Sequence, residues 1–552
     1  MPTLVVPDID LDQIADTGLC QAVRTLLALV ESLLGQVRAV QAENQRLRDE
    51  VSRLKGEQGR PVIKPKTPPP AADHSSERER RQSTPRQVTP KREQIVIDRT
   101  ETLVVDPASL PPDATLKDYE EVVVQDIVLH PDNVLFRKEK WHSASAGRTY
   151  LAPLPPGYDG QFGPGLVTLV LTLYFAGNMS EAKILDLLRS LGVLISAGHL
   201  SDLLIKEQDA FHAEKAAVVE AGLASSPWQH ADDTSTRVNG QNWACHLLCN
   251  PLYTAYRTAP AKDRPTVLDG LRNGRPRTFL LNDAALGYLA HVNIALVTRQ
   301  QLTRLPRDTV LDQASLDRLL ADHLPRLGKQ PRKWIEDALA VAAYHAQTDG
   351  PVVRLLVCDD AGQFTWLTEE RALCWVHEGR HYKKLSPFLP RHRAELERVL
   401  TDFWAYYAEL LAYRHQPTAA ERARLAAAFD TLFGQETGYW ALDERLASTR
   451  ANKADLLRVL DHPEIPLHNN PAELGARQRV RKRDVSFGPR TIDGARAWDT
   501  FMTLAETAKK LGVSFYRYLH DRVSGANRLP SLAEEITRQA QGLTLGTSWA
   551  TS

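Results

Sequence analysis

One short stretch, PVVRLLVCDD at residues 351–360, constrains the fold of this chain more than any other. It is a nearly continuous apolar run that ends in two aspartates, Asp359 and Asp360. Such a run predicts a strand covered on both faces, as in α/β proteins, because a strand with one face in solvent would alternate apolar and polar residues. Ligands bind at the carboxyl ends of such strands, so the aspartates are predicted to face a crevice.

A second strand that carries aspartates is predicted to begin at Trp228, where the sequence reads WQHADDTSTRV. Asp232 and Asp233 lie in its acidic part, and NWACHLLCN and YTAYRTAP are predicted to be the next two strands. Cys245 and Cys249 share one face of the first of these, because residues four apart in a strand point the same way. No second ligand pair follows, so both are predicted to be buried cysteines rather than metal ligands.

A third carboxylate is predicted on a helix within LHNNPAELGARQRVRKRDVSFG, residues 467–488. Asn470 suits the N-cap, Pro471 the first helical position and Glu473 the third. Taken alone, this pattern favours a capping box beside a solvated basic face, although it also fits a carboxylate placed where metal ions meet DNA phosphates. The basic residues predicted to contact DNA are Arg477, Arg481, Lys482 and Arg483.

Two strand-end aspartates and one helix glutamate are the ligands that a two-metal phosphoryl-transfer site needs. Carboxylates are hard oxygen ligands for Mg²⁺, and two ions ~4 Å apart clamp the attacking and leaving oxygens of an in-line displacement. Without the ions, the clustered carboxylates would repel each other and their pKa values would rise.

Near the N-terminus, apolar residues recur with heptad spacing from Leu19 to Lys55. Valine at most a positions and mostly leucine at d favour a parallel two-stranded coiled coil, and Asn44 at an a position fixes register and pair number. The alternative is an amphipathic helix packed on its own domain. The a and d positions are Val23, Leu26, Val30, Leu33, Val37, Val40, Asn44, Leu47, Val51 and Leu54.

The 552 residues are too many for a single core and predict three or four units. The segment after the coil is rich in Pro, Ser, Lys and Arg, which predicts disorder. Paired helices farther on are typical of a helix-turn-helix, and also of plain scaffolds. The predicted units are a coiled coil (1–56), a disordered basic linker (57–94), a small β-rich module (95–150), a helical, helix-turn-helix-like region (151–225), a catalytic core (226–525) with helical insertions at about 273–348 and 387–460, and a C-terminal tail (526–552).

Charge and cysteine content limit the classes of function. The 68 basic and 68 acidic residues balance, so DNA affinity has to come from local patches. The five cysteines include no CxxC pair, which indicates a reducing compartment. No secretory signal or membrane-length apolar run is found, so we expect a cytoplasmic, nucleoid-associated protein without a membrane partner.

Four blocks, in this order, resemble insertion sequence 66 type transposases: HADDT from His230, the Asp359 strand with CWVH from Cys374, HNNPAELGAR from His468 and AETAKKLGVSFYRYL from Ala505. The resemblance implies a ribonuclease-H-like core with a DDE triad. The triad residues would be Asp232, Asp359 and Glu473, which would bind two Mg²⁺ ions that Mn²⁺ can replace. Cys374 and His377 would be auxiliary residues.

The chain departs from this family pattern at two points. Residues 95–150 contain no cysteine, so the family's zinc module has no counterpart there. Leu474 stands where an arginine commonly follows the glutamate, although Arg477 matches the later arginine.

Other carboxylates compete with each member of the triad. Asp283 in RTFLLNDAAL is much closer to Asp232 along the chain than Asp359 is, and Asp233 and Asp360 are alternatives to their neighbours. Glu506 competes with the helix glutamate but lies on a predicted packing face. We prefer Asp359 because CWVH follows it at short range.

The sequence therefore predicts a homodimeric, Mg²⁺-dependent DNA transposase that acts on transposon-end and target DNA. A domesticated DNA-binding regulator and a non-transposing nuclease of the same fold are the alternatives. The terminal repeat, the target site, the transposition pathway and any need for accessory transposition proteins stay open.

Overall fold

The computed structural model describes residues 16–54, 95–106, 109–112, 114–158 and 160–549. Its strands form a central five-stranded sheet and two small two-stranded sheets. In chain order the strands are β1 (Lys140–Ser143), β2 (Arg148–Leu151), β3 (Trp228–Val238), β4 (Gln241–Cys249), β5 (Thr254–Ala259), β6 (Phe279–Leu280), β7 (Val310–Leu311), β8 (Leu355–Cys358) and β9 (Glu370–Leu373).

The central sheet is mixed and has the strand order β5-β4-β3-β8-β9. Strands β3, β4 and β5 are antiparallel neighbours, whereas β8 runs parallel to both β3 and β9. The parallel pair of β3 and β8 requires a crossover, which the chain makes through the helical segment between β5 and β8. The result is a mixed α/β architecture that is compatible with a ribonuclease-H-like core.

Strand β8 is buried along its whole length, as its apolar sequence predicts. Leu356 and Cys358 contribute to one hydrophobic cluster, whereas Leu355 and Val357 contribute to another. Because alternate residues of a strand point to opposite faces, β8 is covered on both faces. The strand leads at its carboxyl end into Asp359, which is only partly buried.

Helices pack against the sheet, and no described helix is both long and apolar enough to cross a membrane. In chain order they are α1 (Thr17–Leu54), α2 (Pro164–Leu171), α3 (Glu181–Ser190), α4 (Ala197–Ile205), α5 (Asp209–Ala224), α6 (Arg264–Leu271), α7 (Asp283–His291), α8 (Leu296–Leu302), α9 (Gln313–His323), α10 (Lys329–His345), α11 (Trp375–Lys383), α12 (Pro390–His415), α13 (Ala419–Phe433), α14 (Trp440–Ala451), α15 (Lys453–Leu456), α16 (Asn470–Ser486), α17 (Ile492–Lys510), α18 (Phe515–Val523) and α19 (Leu532–Ala540).

The first part of the region from 160 to 225 folds as helices α2 to α4. A π-helical turn, Thr172–Ala176, extends α2, and serine side chains cap the N-termini of α3 and α4. The group packs on α17 and α18 through a shared hydrophobic cluster that includes Trp498 and Phe501. Its contact with DNA stays a prediction.

Helix α17 covers the outer edge of the central sheet. Asp499, Thr503 and Thr507 lie four residues apart on one face of the helix and accept hydrogen bonds from backbone N–H groups of β5 at 2.6, 3.1 and 3.3 Å. These side chains satisfy donors that an edge strand would otherwise leave unpaired. Glu506 lies on this same structural helix.

Two predicted units look different in the structure. In the described part of 95–150, only the exposed hairpin of β1 and β2 forms, because its other Val- and Ile-rich runs have no neighbouring strand to complete their hydrogen bonds. The predicted tail contains α19, whose Leu532 and Ile536 are buried in the core. The predicted linker, 57–94, lies outside the described residues.

Candidate active site

The parallel pairing of β3 with β8 determines where the two aspartates lie. Trp228, Gln229 and His230 pair with Leu355, Leu356 and Val357. Continuing this register by two residues places Asp359, just after β8, beside Asp232 on β3. The two carboxylates therefore come from neighbouring strands at the same edge of the crevice.

Neither aspartate is neutralised by a neighbouring cation. Asp232 accepts the backbone N–H of Asp233 at 2.8 Å, and Asp359 accepts that of Ala361 at 3.1 Å. Among the described residues, no Lys or Arg forms an ion pair with either. Burial, together with the negative charges of Asp359, Asp233 and Glu473, raises the pKa of Asp232 to about 7, although the hydrogen bond from the Asp233 N–H opposes the rise. The three predicted ligands thus share one electrostatic site.

The neighbouring aspartates have other partners. Asp233 pairs with Lys262 at 2.5 Å and accepts a hydrogen bond from Gln363 at 2.6 Å. Asp360 is exposed and lies 3.4 Å from His381. Because consecutive strand residues point to opposite faces, Asp233 cannot replace Asp232 without a shift of the strand. No sequence pattern pointed to Lys262 or Gln363, since both contact Asp233 across long sequence separations.

Glu473 lies in the first turn of α16. Its carboxylate accepts hydrogen bonds from Arg380 at 3.0 and 3.4 Å and lies 3.5 Å from Nδ1 of His377. The predicted N-cap was wrong by one residue, because Asn469 is the N-cap and its side chain does not cap the helix. Glu473 is turned towards α11, which supports its placement at the site rather than in a capping box.

The buried Asn469 connects the three site elements. Its Nδ2 donates to the carbonyl of Ala231 at 2.7 Å, and its Oδ1 is 2.9 Å from Nδ1 of His230. Its backbone N–H donates to Sγ of Cys374 at 3.2 Å, and its carbonyl accepts the N–H of Glu473 at 3.1 Å. Since Oδ1 is the acceptor, His230 carries its proton on Nδ1. From the sequence alone, Asn469 has no predicted role, although the paired asparagines before Pro471 are a signal for one.

Cys374 and His377 lie at the start of α11, against Glu473. The ligand atoms of Cys374, His377 and Glu473 all lie within 4.8 Å of one another. Burial raises the pKa of the Cys374 thiol to about 12 and lowers the pKa of His377. Arg380 donates to Nε2 of His377 at 3.0 Å, so it touches two members of this group.

The predicted DNA-binding residues fall into two groups. Arg477 and Arg481 are exposed on α16. Lys482 is fully buried and donates to the carbonyl of Tyr174, and Arg483 donates to the carbonyl of Ser235. The prediction of DNA contact is therefore wrong for Lys482, because a helix within a packed domain turns part of its basic residues inward.

Asp283 does not follow any strand of the central sheet. It sits in the first turn of α7, its side chain is 93% exposed, and it pairs with Arg307. The segment that precedes it, β6, pairs only with β7. The structure therefore brings Asp359, and not Asp283, beside Asp232.

The family described as transposase IS66 family matches residues 159–303 and 341–497, which is more than half of the chain. This chain belongs to the IS66 family of transposases. The matched segments of this transposase include Asp232, Asp359 and Glu473, and the unmatched interval holds β7, α9 and the start of α10.

One relative of this IS66 family member is an uncharacterized protein, y4jO, from Sinorhizobium fredii. It is 35% identical over 309 residues, which cover 55% of this chain and 94% of the relative. No solved structure matches the chain.

Proposed function

We propose that this IS66 family member is a DNA transposase that cleaves and joins DNA strands at the ends of an insertion sequence, with Asp232, Asp359 and Glu473 as a two-metal DDE site. The observation that carries the proposal is the convergence of Asp232 and Asp359 on adjacent parallel strands, facing Glu473. In this family, such a group of carboxylates suits phosphoryl transfer.

The residues fit Mg²⁺, which Mn²⁺ can replace. All three offer hard oxygen ligands, and the two aspartates have no cationic partner among the described residues. When bound, two ions would supply Lewis-acid activation and stabilise the charge on the attacking and leaving oxygens.

The protein supplies the positions of the ligands and of the DNA. The β3–β8 ladder fixes the two aspartates, and Asn469 fixes the start of the helix that carries Glu473. The exposed Arg477 and Arg481 lie one and two helical turns beyond Glu473 and bind the backbone of transposon-end or target DNA. Strand transfer would use the same site, with a DNA 3′-hydroxyl as the nucleophile instead of water.

The N-terminal helix supports a homodimer. Helix α1 is continuous over Thr17–Leu54, and its described side chains at Leu26, Leu33, Val37 and Val40 are exposed in the single chain. These are d and a positions, so a second copy of the chain would cover them in a parallel coiled coil.

The test is cleavage of labelled transposon-end DNA by Asp232→Asn, Asp359→Asn and Glu473→Gln. Each change keeps the shape and removes a charge, so DNA binding should survive while the rate falls about a thousandfold or more. Asp283→Asn is the matched control and should stay active. Full activity of Asp359→Asn beside an inactive Asp283→Asn would reject the site, and DNA binding without cleavage by the wild type in Mg²⁺ and Mn²⁺ would favour the regulator.

A further inference from the structure

The Cys374–His377 pair has no part in the carboxylate chemistry, yet it meets Glu473 with ligand atoms within 4.8 Å. We propose that Cys374, His377 and Glu473 form a second metal site, which takes one borderline transition-metal ion of the Zn²⁺ class. This site adjoins the Mg²⁺ site and shares its glutamate.

The donor set distinguishes the two kinds of ion. A thiolate, an imidazole and a carboxylate suit Zn²⁺, which binds sulfur and nitrogen well, whereas Mg²⁺ takes oxygen ligands. Bond lengths of ~2.0–2.3 Å in a tetrahedral site bring ligand atoms to within roughly 3.5 Å of one another. The group would contract by about an ångström to bind the ion, with water as the fourth ligand.

The three ligands are held on two helix starts. Cys374 is 1% exposed and receives the Asn469 N–H on its sulfur, and His377 follows it by three residues on α11. The Nδ1 atom of His377 is buried and makes no hydrogen bond, although it faces Glu473 at 3.5 Å. An unpaired buried nitrogen beside a thiol and a carboxylate is the second observation that points to a cation.

Arg380 is the cationic side chain that contacts this group of ligands in the structure. It contacts Glu473 at 3.0 Å and Nε2 of His377 at 3.0 Å, and its side chain is 46% exposed. Its exposure allows the guanidinium to move into solvent. A neutral ring whose Nε2 accepts from Arg380 carries its proton on Nδ1, so an ion bound at Nδ1 moves that proton to Nε2, where it opposes the guanidinium N–H. Ion binding therefore displaces Arg380, and removal of Arg380 should tighten ion binding.

The shared glutamate has a consequence for activity, and this step rests on the proposed function. An ion bound by Cys374 and His377 takes Glu473 away from the Mg²⁺ ligands. Zn²⁺ should then inhibit Mg²⁺-dependent cleavage, and the inhibition should depend on Cys374.

The test is a Co²⁺ titration of the metal-free, full-length protein without DNA, followed by absorption spectroscopy. Cobalt in this site should show thiolate-to-metal charge transfer and the visible bands of a tetrahedral ion. Cys374→Ser should lose the charge-transfer band, and Cys245→Ser, a buried cysteine on β4, should keep it. Arg380→Ala should bind Co²⁺ roughly two- to fivefold more tightly, the range expected on removing a half-exposed ion pair.

The absorption spectra test the metal site without any measurement of DNA cleavage. No thiolate band, or a band that survives in Cys374→Ser, would overturn the proposal. If Cys374→Ser does not fold, as judged by circular dichroism, His377→Ala replaces it and should weaken Co²⁺ binding at least tenfold; unchanged binding would count against the site. An inactive protein with the expected spectrum would refute only the proposed function, and cleavage that Zn²⁺ leaves unchanged would refute the shared glutamate.

Discussion

At the scale of single residues, the basic set of α16 shows how differently neighbouring cations are used. Arg479 is buried, pairs with Asp499 at 3.3 Å and stacks over Trp498 at 4.8 Å, so its role is structural. Lys482 is also buried, with its Nζ 3.2 Å from the centre of the Tyr174 ring. Only Arg477 and Arg481 keep exposed charges that are suited to DNA phosphates.

Lys482 should make stability depend on pH. Burial lowers the pKa of Lys482 to about 7, from an ordinary value of 10.5, while Glu181 opposes the shift. Between these values the unfolded chain binds one more proton than the folded chain, so stability should rise with pH across this window, by up to about 1 kcal/mol per unit. Urea unfolding of Lys482→Met at pH 7 to 9 should show a flatter dependence than wild type. Lys509→Met, an exposed lysine, should not, and an equal slope in Lys482→Met would refute the assignment.

The exposed arginines should bind phosphates without reading bases. Arg477→Ala or Arg481→Ala should weaken binding to all DNA sequences alike and reduce the salt slope by about one unit each, because each charge releases about one counterion. Binding isotherms at several salt concentrations measure this. Arg424→Ala, on α13, is the control and should leave the slope unchanged. A changed sequence preference with an intact slope would show direct base recognition instead.

At the scale of elements, the site depends on how α16 joins the sheet. The backbone of Asn469 starts the helix of Glu473, while its side chain holds Ala231 and His230 in the strand of Asp232. The two carboxylates are therefore linked through one buried amide. Burial lowers the pKa of His230 to about 3, which keeps the ring neutral for this hydrogen bond.

Loss of the Asn469 amide should disturb metal binding more than folding. Asn469→Ala should lower the cleavage rate and raise the Mg²⁺ concentration needed for half-maximal rate by about 10- to 100-fold, as for outer-shell partners of metal ligands. Asn250→Ala is the matched control, because Asn250 is equally buried and its side chain makes three hydrogen bonds, to Gly222, Ser225 and Leu252, away from the site. It should lower stability and leave the Mg²⁺ dependence unchanged. Equal Mg²⁺ curves for both variants would mean that Asn469 is only structural.

At the scale of the whole molecule, α1 should determine the number of chains. Its seam carries apolar a and d residues that are exposed in one chain. Asn44 at an a position lowers the stability of the coiled coil but specifies a two-chain assembly. Asn44→Val should therefore strengthen association and allow coiled coils with more than two chains.

Sedimentation of the full chain measures this association. A double substitution, Leu33→Glu with Val37→Glu, should yield monomers, whereas Thr25→Glu, off the seam, should not. A wild-type monomer at tens of micromolar would reject the dimer.

The sequence by itself determined the features that depend on local pattern. The apolar run before Asp359 identified a strand buried on both faces, helical periodicity identified α2 to α4, and the ordered motifs identified the IS66 family. These succeed because burial and helix periodicity are recorded in neighbouring residues.

Only the tertiary structure decided which carboxylates lie next to one another and which basic side chains stay exposed. The register of β3 with β8 brings Asp359, and not Asp283, to Asp232. The packing of α16 buries Lys482, and no local pattern distinguishes it from Arg481. Residues 95–139 have strand-like composition yet form no described strand, because a strand needs a partner that its own sequence does not supply. Pairing, burial of charge and the role of Asn469 all arise between residues far apart in sequence, where periodicity carries no information.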